Sequence, residues 1–482
     1  MSKQATYKPT IGLEIHAQLR THTKAYSAEE NIYGAKPNTK TSPITLGHPG
    51  TLPMINKKVI EYAIKMGLAV NANITIRNEY ARKNYFYADL PKGYQITQDT
   101  TPICTGGYIE IKAKDGSFKK IQLTRIHMEE DAGKSIHNLD PFNSLIDLNR
   151  AGVPLIEIVS EPEINSAKEA SSYINEVRKL MKYLEICDGN MEEGSLRCDA
   201  NISVANIKDV KLGTKVEVKN MNSTRNVRKA IEFEIQRQIQ ILEKGEKVIQ
   251  ETRSFNDLTG STVSMRSKED AHDYRYFPEP DIQPVIISEK YIKDIKENLP
   301  PLPRELLNRF IKNYNLSDYD ASIIIEDKDI AFYFDELCNK TKNYKAAANL
   351  INGEVKSYLN ENAKTIQEFP LTTQQLAELI TLIESNKISH SIATKKIFPE
   401  MLKKQISAEE IAVKNNWIQE SNDSTLYEYV NQIIKQYPDK VLEYKNGKKG
   451  LIGLFMGEIM KLSKGKADPK LTNEILRKEL EK

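Results

Sequence analysis

The feature that most constrains this chain is a change of periodicity near residue 295. Before that point apolar and polar residues alternate in short stretches, as in Ile11–Leu19, where every second residue is apolar. Such alternation predicts strands with one buried face. After the prolines at 300, 301 and 303, apolar residues recur at helical spacing instead. The fold class predicted is therefore α+β, with an N-terminal mixed α/β cradle domain containing a β-sheet, then an all-α helical domain and a small helical tail domain.

The domain boundaries follow from the length and from the prolines. A chain of 482 residues suggests roughly three domains at about 150 residues each. We place them at 1–294, 295–404 and 405–482, the last boundary following Pro399. Within the first domain a capping box of Ser166 and Glu169 predicts a helix start, and Gly245 a helix end. A second box, Thr372 and Gln375, starts a helix in the middle domain.

Composition narrows the class of protein. The net charge of +3 is nearly balanced, so any contact with RNA has to come from a local patch. Four cysteines without zinc-like spacing suit a reducing compartment, and the N-terminus MSKQATYKPT has no export or transit pattern. No apolar run approaches the roughly 20 residues of a membrane span. We expect a cytoplasmic protein with no membrane contact.

Two acid-containing segments in the first half of the cradle could carry chemistry. Glu14 and His16 are two apart on a predicted strand, so they project from the same face and suit a metal or a proton relay. A solvent-facing polar edge is the alternative. Glu157 lies among apolar residues, where a carboxylate is costly unless it is paired or bound to metal.

A denser cluster follows His127. Glu129, Glu130 and Asp131 are three successive carboxylates, which repel one another unless cations compensate them. Lys134 and Ser135 come next after a glycine and could bind phosphate, although Met128 stands where a Walker A loop needs glycine, so this is not a P-loop. A charged, solvated turn is the alternative interpretation.

A second acid-rich turn leads into another strand, whose polar face offers Arg197, Asp199 and Asn201. Two such turns beside strands could hold one or two magnesium ions and a nucleoside triphosphate.

Cations alternate with aromatic rings elsewhere, a mixture that can stack a base and neutralise phosphate, although tyrosines in strands are more often packing residues. These candidates for contact with RNA are Arg82, Lys83, Tyr85, Tyr87, Lys92 and Tyr94. Between residues 440 and 470 eight lysines face three acids, which makes phosphate contact plausible there too.

Seven strings occur in order between about residues 10 and 285: IGLEIHAQL, RKNYFYADLPKGYQITQ, TRIHMEEDAGKS, DLNRAGVPLIEIVSEPEI, MEEGSLRCDANIS, EVKNMNS and DYRYFPEPDI. In these the chain resembles the GatB family, the B subunits of aspartyl/glutamyl-tRNA amidotransferases. The resemblance continues more thinly to the C-terminus. It implies a YqeY-like, tRNA-binding tail and two partners, a GatA-like amidase that releases ammonia from glutamine and a small GatC-like subunit.

The resemblance also implies an activity. ATP phosphorylates the side-chain carboxylate of Asp-tRNA(Asn) or Glu-tRNA(Gln), and ammonia then displaces the phosphate, so the complex is a carbon–nitrogen ligase with glutamine as amido donor. On this reading Glu14, His16 and Glu130 are the catalytic and metal residues, with Glu129 and Glu157 as further metal ligands. Lys134, Ser135, Arg197 and Asp199 contact nucleotide or phosphate. The metal is magnesium, with manganese as the alternative because histidine is not a typical magnesium ligand.

One departure concerns zinc. Many relatives carry two cysteine pairs near the N-terminus that bind it, but the corresponding positions here are Ser27, Glu29, Ser42 and Thr45, so no zinc is expected.

Two other functions stay open: a non-catalytic tRNA-binding scaffold of the same complex, which could dispense with the acidic turns, and a metal-dependent phosphotransferase acting on a small molecule. Which misacylated tRNA is the substrate depends on the synthetases of the cell.

Overall fold

The computed structural model describes residues 6–113, 116–137, 139–267, 273–418, 423–463 and 465–481. The chain forms two compact units, Met1–Leu302 and Pro303–Lys482. The first is built on β-sheet and the second on helices, as the change of periodicity predicts. Residues 295–302 lie in the first unit, where Ile295, Leu299 and Leu302 pack on its hydrophobic core.

The first unit contains the strands. They are β1 (Tyr7–Gln18), β2 (Asn73–Ile74), β3 (Arg77–Asn78), β4 (Ala81–Asn84), β5 (Tyr94–Thr97), β6 (Cys104–Thr105), β7 (Tyr108–Lys112), β8 (Phe118–Glu130), β9 (Lys134–Ile136), β10 (Leu145–Asp147), β11 (Pro154–Ser160), β12 (Leu196–Asn206), β13 (Val216–Lys219), β14 (Glu251–Asn256), β15 (Ser261–Ser267), β16 (Phe277–Pro278) and β17 (Val285–Ile286). The main sheet has ten strands in the order β15-β14-β13-β12-β1-β11-β8-β6-β2, with β7 also paired to β8. A small sheet β16-β4-β5 carries the aromatic and basic stretch.

Strand β1 is central to the main sheet, between β11 and β12 and antiparallel to both. Its residues Ile11, Leu13, Ile15 and Ala17 are fully buried, as their alternation predicts. Helices cover this face: α1 (Lys57–Ala69), α2 (Ala167–Tyr183) and α3 (Thr224–Glu243), with α4 (Glu289–Glu297) packed on α1. The opposite face of the same strands is polar, and the candidate site lies there.

The predicted helix ends are confirmed. Ser166 accepts a hydrogen bond from the backbone N–H of Glu169 at the start of α2. Helix α3 ends at Glu243, two residues before Gly245, whose φ of 77° is the left-handed conformation that glycine adopts without strain. In the second unit Thr372 and Gln375 form the predicted capping box.

The described residues of the second unit form helices. They are α5 (Pro303–Lys312), α6 (Asp318–Ile324), α7 (Lys328–Cys338), α8 (Tyr344–Leu350), α9 (Lys356–Glu361), α10 (Thr373–Glu384), α11 (His390–Ile392), α12 (Phe398–Lys404), α13 (Ala408–Lys414), α14 (Asp423–Gln436), α15 (Pro438–Lys445), α16 (Ile452–Leu462) and α17 (Pro469–Glu481). Helix α13 packs on α10 and α12, whereas α14–α17 pack on one another around a core that includes Leu426, Phe455 and Leu476. The tail boundary at residue 405 stays a prediction. None of the described helices is long and apolar enough to cross a bilayer.

Candidate functional site

The register of the main sheet brings polar residues from distant parts of the chain into one row. His127 on β8 is opposite Glu157 on β11, Glu157 is opposite His16 on β1, and His16 is opposite Arg197 on β12. Side chains opposite one another on adjacent strands share a face. Four strands that are far apart along the chain thus contribute to one surface, which no local motif contains.

His16, Glu129 and Glu157 form a group that we call the His16 cluster. One potential ligand atom from each residue lies within 4.8 Å of the other two. The Nε2 atom of His16 is 3.1 Å from Oε2 of Glu157, and the Nζ atom of Lys83 is 3.3 Å from Oε1 of Glu129. The structure therefore brings together three of the five residues predicted to bind metal.

The charges in the His16 cluster stabilise one another. Burial by itself would raise the pKa of Glu157, but the imidazoles of His16 and His127 outweigh burial and hold this pKa well below its ordinary value. Burial would lower the pKa of His16, but the charge of Glu157 raises it above the ordinary value. Glu129 is buried too, and mainly the Lys83 ammonium keeps its pKa low. At neutral pH both carboxylates are therefore ionised and able to bind a cation.

The chemistry of this cluster fits a divalent cation. Oε2 of Glu129 is buried and has no hydrogen-bond partner among the described residues. A buried carboxylate oxygen without a partner is costly, and a bound cation would compensate it. Two carboxylates and one imidazole suit manganese or zinc, and also magnesium when water completes its coordination.

Glu14 lies in a neighbouring group with Asp199 and Glu217, here called the Glu14 cluster, whose ligand atoms also lie within 4.8 Å of one another. Lys219 compensates it, because its Nζ atom is 2.6 Å from Asp199 and 2.9 Å from Glu217. Asn201 donates a 2.8 Å hydrogen bond to Glu14. Burial and the nearby Glu157 raise the pKa of Glu14. The two predicted metal residues of β1 thus belong to two adjacent clusters.

One cavity of about 910 Å³ is lined by His16 and Glu129 of the first cluster and by Asp199 of the second, together with Arg197 and Lys219. Its polar lining and size suit a nucleotide and an esterified amino acid together. Arg197 is held by a 2.8 Å contact with Asp131, which also accepts a hydrogen bond from Gln18. The Nε atom of Arg197 is buried and has no hydrogen-bond partner among the described residues. The side chain is 36% exposed, so the accessible part of the guanidinium can still donate to a ligand.

The structure places Glu130 apart from the His16 cluster. Its carboxylate pairs with Lys92 and accepts a 2.9 Å hydrogen bond from the backbone N–H of Ile96. The side chain is almost fully buried between β8 and the small sheet. Glu130 therefore joins two sheets, because alternation along β8 turns it away from the cavity that Glu129 faces.

The predicted phosphate contacts are also separated. Lys134 is exposed at the wall of the cavity, and its contact with a ligand stays a prediction. Ser135 instead donates a 3.1 Å hydrogen bond to Asp89, which ties β9 to the loop before β5. Arg197 and Asp199 line the cavity together, as their alternation on β12 predicts.

Of the six residues predicted to contact RNA, Lys83 and Tyr85 line the cavity. Arg82 is engaged elsewhere, because it forms two hydrogen bonds of 2.8 and 2.9 Å with Glu279, one of 3.1 Å with Asp281, and lies over the ring of Tyr94. Lys92 is paired with Glu130. Tyr87 is exposed beside the small sheet. Arg82 and Tyr94 thus pack against residues of the first unit, whereas Lys83 and Tyr85 line the cavity and also contact Glu129 and Gln95.

Hydrogen bonds join Ser27, Glu29, Ser42 and Thr45, the loop residues for which the sequence predicts no zinc. The hydroxyl of Thr45 lies 3.3 Å from that of Ser27 and 3.4 Å from that of Ser42, and it donates to Glu29. Beside them Lys24 is fully buried, 4.0 Å from Glu29, and burial lowers its pKa to about 8. These contacts hold the loop, while the expectation of no zinc stays a prediction.

Several functional groups were missing from the residues chosen from sequence. They are His127 and Asp131, which belong to the predicted acidic cluster without an assigned role, and Glu217 and Lys219 of the Glu14 cluster. Period-two alternation offered a signal for two of them, since His127 and Asp131 lie two residues from Glu129 in each direction. Nothing local indicates that Lys219 meets Asp199, because this contact depends on the pairing of β12 with β13.

Comparison with known proteins adds an independent result. The family model described as the GatB/GatE catalytic domain matches residues 9–293, and that of the GatB domain matches residues 332–480. A Thermodesulfovibrio yellowstonii protein named as the B subunit of aspartyl/glutamyl-tRNA(Asn/Gln) amidotransferase is 49% identical over 470 residues, 98% of each chain. Proteins of the same name from Thermoanaerobacter pseudethanolicus and Geobacter sulfurreducens are each 47% identical over 477 residues, covering 99% and 98% of this chain and 100% and 99% of theirs.

Proposed function

The chain belongs to the GatB family of amidotransferase subunits, and on this premise we propose that its first unit activates the side-chain carboxylate of an amino acid esterified to tRNA. The substrate is Asp-tRNA(Asn), Glu-tRNA(Gln) or both, and ATP is the phosphoryl donor. A carboxylate oxygen of the substrate attacks the γ-phosphorus, the bond to the β-phosphate oxygen breaks, and ADP leaves. Ammonia then attacks the acyl carbon and expels phosphate, which leaves Asn-tRNA(Asn) or Gln-tRNA(Gln).

The observation that carries this proposal is that residues of the His16 cluster and of the Glu14 cluster line one cavity together with Arg197. Phosphoryl transfer from ATP depends on positioning and on compensation of phosphate charge more than on a protein nucleophile. His16, Glu129 and Glu157 would hold a divalent cation, as the unpartnered oxygen of Glu129 suggests. Bound there, the cation would neutralise charge on the transferring phosphoryl group.

The residues of the chain have distinct parts in this reaction. Arg197, fixed by Asp131, lines the cavity with a partly exposed guanidinium that can donate to a phosphate oxygen. Lys219 and Lys83 lie at the cavity wall and add positive charge. Buried carboxylates keep these cations oriented without further rearrangement, which is the condition under which electrostatic stabilisation is strong. The exposed Lys134 is placed to contact the nucleotide or the tRNA end.

The proposal includes partners and a location. A GatA-like amidase would supply ammonia from glutamine and a small GatC-like subunit would complete the complex. Magnesium is the expected cation, with manganese as the alternative. Lysines of the tail, of which Lys464 lies outside the described residues, would contact tRNA phosphates. A cytoplasmic location follows from the substrate, because charged tRNA is used in translation.

The decisive experiment is amidation by the three-subunit complex, tested on both misacylated tRNAs with glutamine and ATP. We expect amidation together with ADP formation that depends on charged tRNA and on divalent cation. Replacing Glu129 by Gln should abolish ADP formation while tRNA binding is kept. If the variant forms amide at the wild-type rate, the chain is a tRNA-binding scaffold rather than the phosphorylating subunit.

A further inference from the structure

We infer that His127 is a positioning residue, which holds the carboxylates of Glu129 and Glu157 at the separation that a divalent cation requires. This inference rests on the proposed function, because it concerns the same cation. His127 stands directly opposite Glu157 in the pairing of β8 with β11. Glu129 follows two residues later on the same strand, and therefore on the same face.

The geometry of the imidazole is specific to these two carboxylates. Its Nε2 atom lies 3.4 Å from Oε2 of Glu157 and 3.6 Å from Oε2 of Glu129. The side chain is only 4% exposed, so surrounding atoms fix its orientation. Its other nitrogen, Nδ1, is buried and has no hydrogen-bond partner among the described residues. Contact with the carboxylates is thus the polar interaction that His127 makes through its ring.

The position of His127 favours a role in orienting the two carboxylates over a role as a direct ligand of the cation. His16 approaches Oε2 of Glu157 at 3.1 Å, and His16, Glu129 and Glu157 form the set whose ligand atoms lie within 4.8 Å of one another. His127 is not a member of this set, and its Nε2 atom lies farther from Oε2 of Glu157 than that of His16 does, at 3.4 Å. Lys83 contacts the other oxygen of Glu129, Oε1, at 3.3 Å. Lys83 therefore donates to one oxygen of Glu129, whereas His127 lies 3.6 Å from the other, beyond hydrogen-bond distance, and leaves that oxygen able to bind a cation.

Two ionised carboxylates in a buried site repel one another. A single N–H donor placed between them offsets this repulsion and keeps both oxygens near one point. Without it, each carboxylate can turn towards another partner, as Glu129 can towards Lys83. Groups that orient metal ligands from behind typically contribute a factor of roughly 10–100 in metal affinity or activity.

The test uses the full chain in its complex, stripped of metal, and measures binding of Mn²⁺ alone by the loss of the free-ion EPR signal. His127→Met keeps much of the volume and removes the donor, so we expect the Kd for Mn²⁺ to rise roughly 10–100-fold. His127→Gln places an amide N–H near the position of Nε2 and should restore most of the affinity. His137→Gln is the control, because His137 contacts Ser144 and not the clusters.

A second readout separates positioning from a general effect on folding. Saturating Mn²⁺ should restore much of the kcat for ADP formation in His127→Met, since the ligands themselves remain. If His127→Met does not fold, His127→Asn replaces it, because its amide is too short to reach both carboxylates and should bind Mn²⁺ as weakly.

Two results would overturn the inference. One is wild-type Mn²⁺ affinity in the variant that lacks the donor. The other is a Gln variant as weak as the Met or Asn variant, which would make His127 a direct ligand. Failure of the wild-type complex to bind Mn²⁺ would instead remove the proposed cation site, and this inference with it.

Discussion

The carboxylates of Glu129 and Glu130 are adjacent in sequence, yet they lie on opposite sides of β8. Glu129 faces the cavity and contacts Lys83, whereas Glu130 pairs with Lys92 and accepts a hydrogen bond from Ile96. Both side chains are nearly fully buried. Two identical residues thus take different parts, one towards ligands and one in joining the sheets.

Substitution of each glutamate by Gln should distinguish the role of Glu129 at the cavity from that of Glu130 between the sheets. Glu129→Gln should reduce cation-dependent ADP formation by at least ~100-fold, because loss of a direct ligand costs more than loss of a group behind it. Its stability should fall less than that of Glu130→Gln, because Lys83 keeps the nearby charge of Glu157. Glu130→Gln should lower the free energy of unfolding by about 3 kcal/mol or more, since Lys92 is left buried without its partner. Amidation assays and urea denaturation of both variants measure this. Equal losses of activity with unchanged stability would show that Glu130 also acts at the site.

Addition of cation should stabilise the chain through the His16 cluster. A ligand that binds only the folded state adds about 2.7 kcal/mol at 100 times its Kd. Mn²⁺ or Mg²⁺ should therefore raise the melting temperature of metal-stripped protein, and EDTA should reverse the rise. Glu157 lies between His127 and His16 in the paired strands. Glu157→Gln should therefore abolish most of the cation-dependent rise in melting temperature. A shift of wild-type size in this variant would place the cation elsewhere.

The buried ammonium of Lys24 predicts a pH dependence of stability. Burial lowers its pKa to about 8 in the folded chain, below the ordinary lysine value. Between these two values the unfolded chain binds a proton that the folded chain has released, so the free energy of unfolding rises with pH. Because other groups titrate in this range, the quantity to follow is the difference between wild type and Lys24→Met, by urea denaturation from pH about 7 to about 10. We expect this difference to increase with pH, and a flat or falling difference would contradict it.

The tail helices should contribute electrostatic affinity for tRNA. Helices α14–α17 share their own core, so removal of residues 423–482 should leave the first unit folded. We expect weaker tRNA binding with a shallower dependence on salt, by roughly 0.7–0.9 in the log–log slope for each phosphate that the tail no longer neutralises. Filter binding at several salt concentrations measures both. A full-length control with the exposed Lys445 and Lys470 changed to Gln should show a smaller effect of the same sign, and unchanged affinity in both proteins would contradict a role for the tail.

Lys219 should hold the Glu14 cluster together. Loss of this ammonium would remove a positive charge that lies 2.6 Å from Asp199 and 2.9 Å from Glu217, in the cluster that also contains Glu14. Lys219→Met should therefore raise the pKa of Glu14 further and lower stability at neutral pH more than at pH about 5, because protonation relieves the repulsion. Thermal denaturation at the two pH values checks this, with Lys215→Met, an exposed lysine of the same segment, as the control. An equal loss of stability at both pH values would contradict the account.

Local pattern determined the secondary structure and the residue types of the site. Alternation in Ile11–Leu19 specified the buried and polar faces of β1, and caps at Ser166 and Thr372 specified helix starts, because these signals act within a few residues. The family was evident from its motifs for the same reason. Strand pairing decided which of these residues contact one another. Only the register of β8, β11 and β1 places His127 and His16 on either side of Glu157, and only packing of the small sheet turns Glu130 to Lys92. Such contacts join residues that are distant in the chain, and their geometry is set by the sheet rather than by the sequence around either residue.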